Sequence, residues 1–178
     1  MRFNLEEAMW RPLQRSALMA LLIGVATAVP AVGQGGRGGQ GMMGDPAHAA
    51  DMQVFHKLFN YRAEITRQVV TRPDGVETVT ESTNPEATRL LQTHVTSMLA
   101  RVKDGRPIHR RDPLFAELFR YAHLIEATYE RTAGGVRVVE TSQDPYVVKL
   151  VQAHTEVVSA FIANGRVEMM KNHPVPSR

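Results

Sequence analysis

Shifted by 60 residues, the chain matches itself without a gap from Phe55–Arg106 onto Phe115–Arg166. Phe55 falls on Phe115, Tyr61 on Tyr121, Ile65 on Ile125, Gly75-Val76 on Gly135-Val136, Pro85 on Pro145, Gln92 on Gln152, His94 on His154 and Gly105-Arg106 on Gly165-Arg166. An ungapped match of this length marks an internal duplication, and two units are too few to stack as an open solenoid. The chain is therefore expected to close on itself, as two pseudo-symmetric units of one domain.

Each unit carries the same series of local signals. A short apolar face comes first, Val54, Phe55, Leu58 and Phe59 in one unit and Leu114, Phe115, Leu118 and Phe119 in the other, at the spacing of a helix. A hairpin pattern follows, with Glu64–Thr71 and Val76–Glu81 around Arg72-Pro73-Asp74-Gly75, and Ile125–Arg131 and Val136–Thr141 around Thr132-Ala133-Gly134-Gly135. The glycine closing each turn is expected to stand at positive φ. Asn84-Pro85 and Asp144-Pro145 then place a capping side chain before a proline, as at a helix start, and Thr83 and Glu86 add capping-box spacing. The helices that begin there carry single apolar stripes, Ala87 to Val102 and Val147 to Ile162.

The predicted fold class is α+β: two αββα repeats of 60-residue period, forming one domain with a four-stranded antiparallel sheet covered by helices. The expected divisions are repeat unit 1 at 47–106, a linker at 107–113, repeat unit 2 at 114–170 and a C-terminal tail at 171–178. A sheet edge left open by two paired hairpins is the place where a homodimer would form.

Ahead of the repeats, the charged start Met1 to Arg15 precedes an uncharged apolar run from Ser16 to Val32, the pattern of a signal peptide spanning 1–33. Its strongly apolar core, Leu18 to Val25, is too short for a membrane span, and cleavage is expected near Gln34, with Ala28 as the second choice. A leader retained as an anchor is the competing reading, and Glu6 and Glu7 point to a start at Met9. Gln34 to Gly44 is glycine-rich and reads, with the two residues after it, as a flexible tether at 34–46. The expected location is periplasmic or secreted.

Loss of the leader removes three of the chain's 21 basic residues and two of its 18 acidic ones, which leaves too small and too interspersed a surplus to argue for nucleic acid. The basic cluster of Arg101, Lys103, Arg106, His109, Arg110 and Arg111 surrounds Gly105 and Pro107 and reads as a solvated linker. The chain has seven histidines and no cysteine. Thiolate zinc, iron–sulfur clusters, covalently attached haem and thiol catalysis are thereby excluded, and stability must come from packing.

One position in each long apolar stripe is not apolar, and in both it is a histidine, His94 and His154. Two readings stand side by side. A histidine on an apolar helix face is usually a core residue whose nitrogens bond to neighbouring polar groups. Two imidazoles brought together across a pseudo-two-fold axis instead suit a metal ion or noncovalent haem, since both bind neutral nitrogen. Met98, four residues after His94, adds a soft thioether that favours copper, although methionine is more often gap-filling core. His56 and His123 break the repeat, facing Ala116 and Ala63, and are further candidates for an asymmetric site. Met42, Met43 and His48, with Met169, Met170 and His173, could add soft ligands from flexible ends.

No nucleophile beside a base, argued carboxylate pair or phosphate loop is recognisable. The expectation is an exported binding protein and not an enzyme, holding copper or noncovalent haem at the histidine pair. The alternative is a cofactor-free interaction module with structural histidines, docking on a partner protein of the cell envelope. A small-ligand carrier or sensor using the space between the units is the third reading.

Overall fold

Asn84 and Asp144 begin the two long helices as the sequence requires. The side chain of Asn84 accepts from the backbone N–H of Glu86 and Ala87, and that of Asp144 from Tyr146 and Val147, with proline at the next position in each case. The cap is Asn84 and not Thr83, so the capping-box spacing from Thr83 is unused, and Glu86 pairs with Arg89 instead. Ser82 and Ser142 each accept a hydrogen bond from the backbone N–H of the capping residue two positions on.

The computed structural model describes residues 45–178. The leader at 1–33 and most of the glycine-rich stretch lie outside the described residues. From there the chain runs α1 (Pro46–Asn60), β1 (Ile65–Arg72), β2 (Gly75–Ser82), α2 (Pro85–Asp104), α3 (Pro113–Arg120), β3 (Glu126–Arg131), β4 (Gly135–Thr141), α4 (Pro145–Asn164) and α5 (Arg166–Met169). Single 3-10 turns at Arg62–Glu64 and Ala122–Leu124 lead into the hairpins. No helix among the described residues is long and apolar enough to cross a membrane.

The strands form one antiparallel sheet in the order β1-β2-β4-β3, with Thr78 opposite Val138 at the centre of the β2–β4 ladder. Strand alternation puts Val76, Thr78 and Thr80 of β2 and Val136 and Val138 of β4 on one buried face. Both long helices cover that face; α1 packs on α2, and α3 on α4. Val76, Leu114, Leu118, Leu150 and Val151 lie in one cluster of the core, and Leu58, Leu90 and Leu91 form another.

The two halves hold each other through long-range hydrogen bonds. Gln92 of α2 donates to the carbonyls of Thr132 and Gly135 in the second hairpin, and Gln152 of α4 donates to those of Arg72 and Gly75 in the first.

The expected positive φ is found at Gly75, at φ 159 on the edge of extended, and not at Gly135, so a second cause has to fix both turn glycines. What excludes a side chain is the neighbouring strand: a Cβ on Gly75 would overlap the carbonyl oxygen of Glu140, and one on Gly135 that of Thr80. Gly135→Ala is therefore expected to cost about 1–3 kcal/mol, the usual range for forced overpacking. A denaturant titration beside wild type reads the loss, and an unchanged midpoint would contradict the account.

Two further expectations are corrected. Arg101 is no part of a solvated basic cluster: it is only 1% exposed, and its Nε donates to Asp51 Oδ2 at 2.5 Å. Nor is the C-terminal segment loose. His173 Nδ1 lies 2.5 Å from the fully buried Asp112 carboxylate, Lys149 donates to the Ser177 carbonyl, and the Arg178 guanidinium lies over the Tyr146 ring.

Candidate functional site

Between the inner sheet face and the helices lies a cavity of about 220 Å³. The second half of the α2 stripe, Val95, Met98, Leu99 and Val102, lines it instead of packing solidly, as do Val158 and Ile162 of α4. Phe55, Phe115 and Phe161 contribute aromatic walls, and Thr78, Thr80 and Val138 the floor from the sheet.

His94 and His154 both line this cavity, and Met98 lines it with them. Each imidazole is half-buried and packs on a phenylalanine: His94 stacks on Phe55 at 5.6 Å between centroids, and His154 meets Phe115 edge-on at 5.2 Å. The two phenylalanines stand 60 residues apart, as the histidines do. In both rings Nδ1 is buried without a hydrogen-bond partner. The first reading of an inward histidine, a ring satisfied by its neighbours, is thus not met at Nδ1, where an unpaired buried polar atom costs about 1–3 kcal/mol.

Burial is the main cause that pulls both imidazoles down to about pKa 4; for His154 the positive charges of Arg67 and His94 push the same way, while for His94 the Asp51 carboxylate opposes it. At neutral pH both rings are uncharged. A neutral imidazole can accept a ligand's proton, donate its own, or coordinate a metal.

His56 and His123 do not join them. His56 is half-buried on α1 away from the cavity, and His123 is exposed on the 3-10 turn before β3. Among the described residues no group of three or more His, Cys, Asp or Glu side chains is placed to hold a metal ion. The cavity does include His109, which stands at φ 56, a conformation uncommon outside glycine, and whose Nε2 lies 3.8 Å from Asp112 Oδ2, beyond hydrogen-bonding reach.

Sequence reasoning missed two wall residues, Arg67 and Glu140. The signal was available in the strand phase. Arg67 alternates with Ile65 and Val69 on β1, and Glu140 with Val136 and Val138 on β4, so both charges occupy inward positions. Burial pulls the Arg67 guanidinium down to about 10, with the Glu140 charge opposing; burial raises the Glu140 carboxyl, with Arg67 opposing.

No protein-family model, curated protein or solved structure matches this chain.

Proposed function

We propose that this is an exported binding protein, not an enzyme, whose cavity takes a small, mainly apolar ligand in contact with the neutral imidazoles of His94 and His154. The observation that carries the reading is the cavity itself, about 220 Å³ of space walled mainly by apolar side chains, on which His94, His109 and His154 each keep a buried nitrogen without a partner. Few convergent polar groups in an apolar pocket are the usual make-up of a small-molecule site. A cavity of about 150 Å³ accepts benzene, whereas drug-sized ligands occupy roughly 300–1,000 Å³. The volume therefore favours a single-ring or short-chain molecule over a haem. Export rests on the leader pattern at residues 1–33.

The same reading takes the two halves as a duplicated αββα unit closed about a pseudo-two-fold axis between β2 and β4. It draws support from the central pairing of Thr78 with Val138 and from the reciprocal bonds of Gln92 and Gln152. Duplication explains why a histidine reaches the cavity from each long helix.

Copper is the second reading, favoured by one specific observation: His94, His154 and Met98 share the cavity wall. Two imidazoles and a thioether suit Cu(I).

A thermal-shift screen of small aromatic and aliphatic compounds, with Cu(I) under reducing conditions as a separate arm, distinguishes these readings. Ligand at about 100 times its Kd raises stability by about 2.7 kcal/mol. Val158→Phe fills part of the cavity and is expected to abolish the organic-ligand shift while the protein stays folded. A Cu(I) shift lost in His94→Ala and in Met98→Leu would favour the metal. A folded wild type that responds to neither arm would reject both.

A further inference from the structure

Arg67 is the exceptional cation of the protein's interior. The other deeply placed guanidinium, Arg101, has carboxylates at Asp51 and Asp45. Arg67 makes no ion pair among the described residues: Glu140, the carboxylate that shares the wall and feels its charge, is not within salt-bridge distance, the Arg67 hydrogen bond runs from Nη1 to Thr80 Oγ1 at 2.6 Å, and its Nε is buried without a partner. A buried charge left without a counter-ion costs several kcal/mol, so sites that keep one are candidates for binding a charge of opposite sign.

We propose that the cavity's ligand is a small monocarboxylic acid whose carboxylate docks on the Arg67 guanidinium while its apolar body fills the space beneath α2 and α4. This rests on the reading of the cavity as a ligand site and deepens it.

The other charged groups on the wall leave this role to Arg67. Asp51 is engaged by Arg101 and Ser97. Arg62 is exposed and donates to the Ala163 carbonyl at the end of α4. His94 and His154 are neutral and can each offer one N–H. Burial raises the Glu140 carboxyl, with the Arg67 charge opposing, so its negative charge is disfavoured at this wall and competes less for the guanidinium. One inward guanidinium without an ion pair, in a mainly apolar wall, matches a single negative charge. A phosphate dianion would leave charge uncompensated, and a neutral molecule would leave the Arg67 Nε as it stands. The guanidinium presents donors in a fixed fork that fits a carboxylate with two parallel hydrogen bonds.

The test compares two probes of the same shape, cinnamate and cinnamamide, by titration calorimetry, with the Arg67 Nε–H resonance followed by 15N NMR. Wild type is expected to bind cinnamate at least about tenfold tighter than the amide, which corresponds to about 1.4 kcal/mol. Arg67→Met is expected to bring cinnamate down to the affinity of the amide and to leave amide binding within about twofold. Arg67→Lys, which keeps the charge, retains a preference for the acid and serves if the methionine variant does not fold. In wild type the Nε–H resonance shifts with cinnamate and not with the amide. Equal affinity of the two probes for wild type overturns the charge assignment while leaving the cavity reading intact, as does a preference for the acid that survives in folded Arg67→Met. Failure of wild type to bind either probe removes the cavity reading and this inference together.

Discussion

Acidification is expected to destabilise the protein by on the order of 3 kcal/mol for each of His94 and His154 between pH 6.5 and about 4. In the unfolded chain both imidazoles take up protons near 6.5. In the native protein they refuse them until about 4, chiefly because burial penalises the charged ring. Across that window the unfolded state binds more protons, so stability falls as pH falls and levels off below it. The two rings also repel each other once charged, which sharpens the loss. Urea midpoints measured from pH 8 to about 4 read this directly, and a His94→Gln/His154→Gln variant is expected to lose most of the slope. A wild type with a flat acid limb would show that the rings protonate freely and are not buried as described. His173 works in the opposite sense. Burial lowers its pKa, but hydrogen bonds to Asp112 and Glu168 more than offset this and raise it. Its contribution is therefore complete below 6.5 and disappears as pH rises through the raised value, and His173→Gln is expected to remove that alkaline decline.

Asp51→Ala is expected to cost about 3–5 kcal/mol, because it strips a partner from a buried ion pair. Asp51 accepts from Arg101 Nε and from Ser97 Oγ, both at 2.5 Å, and joins the middle of α1 to the last turns of α2. Without it Arg101 keeps the half-exposed Asp45, with Oδ2 3.0 Å from Nη1, and a long contact to the Arg106 carbonyl. A charged group would then stand in the interior with too few acceptors. Replacing both partners, as in Asp51→Leu/Arg101→Met, is expected to recover much of the loss, since apolar replacement of a buried pair is often neutral. Denaturant midpoints of the two variants decide the point: a double variant as unstable as Asp51→Ala would mean that packing by the long side chains, and not charge pairing, holds this corner together.

How far the sequence carries depends on the range of the interaction. The starts of α2 and α4 are legible because Asn84-Pro85 and Asp144-Pro145 act within three residues of themselves. The hairpins are legible for a similar reason, since strand alternation and turn chemistry are local, and the sheet class follows from having two of them. Arg101 was misread because its carboxylate partner lies 50 residues upstream, so nearby basic neighbours dominated its appearance. The tail was misread likewise: His173 is held by Asp112 across 61 residues. The cavity was hidden for a different reason. Helical periodicity tells which face of α2 turns inward, but Val95 and Met98 show the same pattern whether they meet another side chain or open space. Of the candidate residues, the pattern picked out His94, His154 and Met98, which share the wall; His56 and His123 were chosen for breaking the repeat, a criterion without geometric content. Arg67 and Glu140 are legible only through strand phase, which sets them on the same face as Ile65 and Val138, and composition alone does not mark a charged strand residue as inward.

The central pairing of β2 with β4 also sets a clock on biosynthesis. β2 is complete at Ser82, yet its partner spans Gly135–Thr141, so Thr78 waits for a residue 60 positions further along. At roughly 5–20 residues per second, the ribosome leaves that strand edge unpaired for about 3–12 s. During this interval the first hairpin, α1 and α2 can assemble, but the edge of β2 and its inward Val76 remain open to any other strand, including the same segment of a neighbouring nascent chain. A sheet that closes only with its second half thus delays completion of the fold by its own topology.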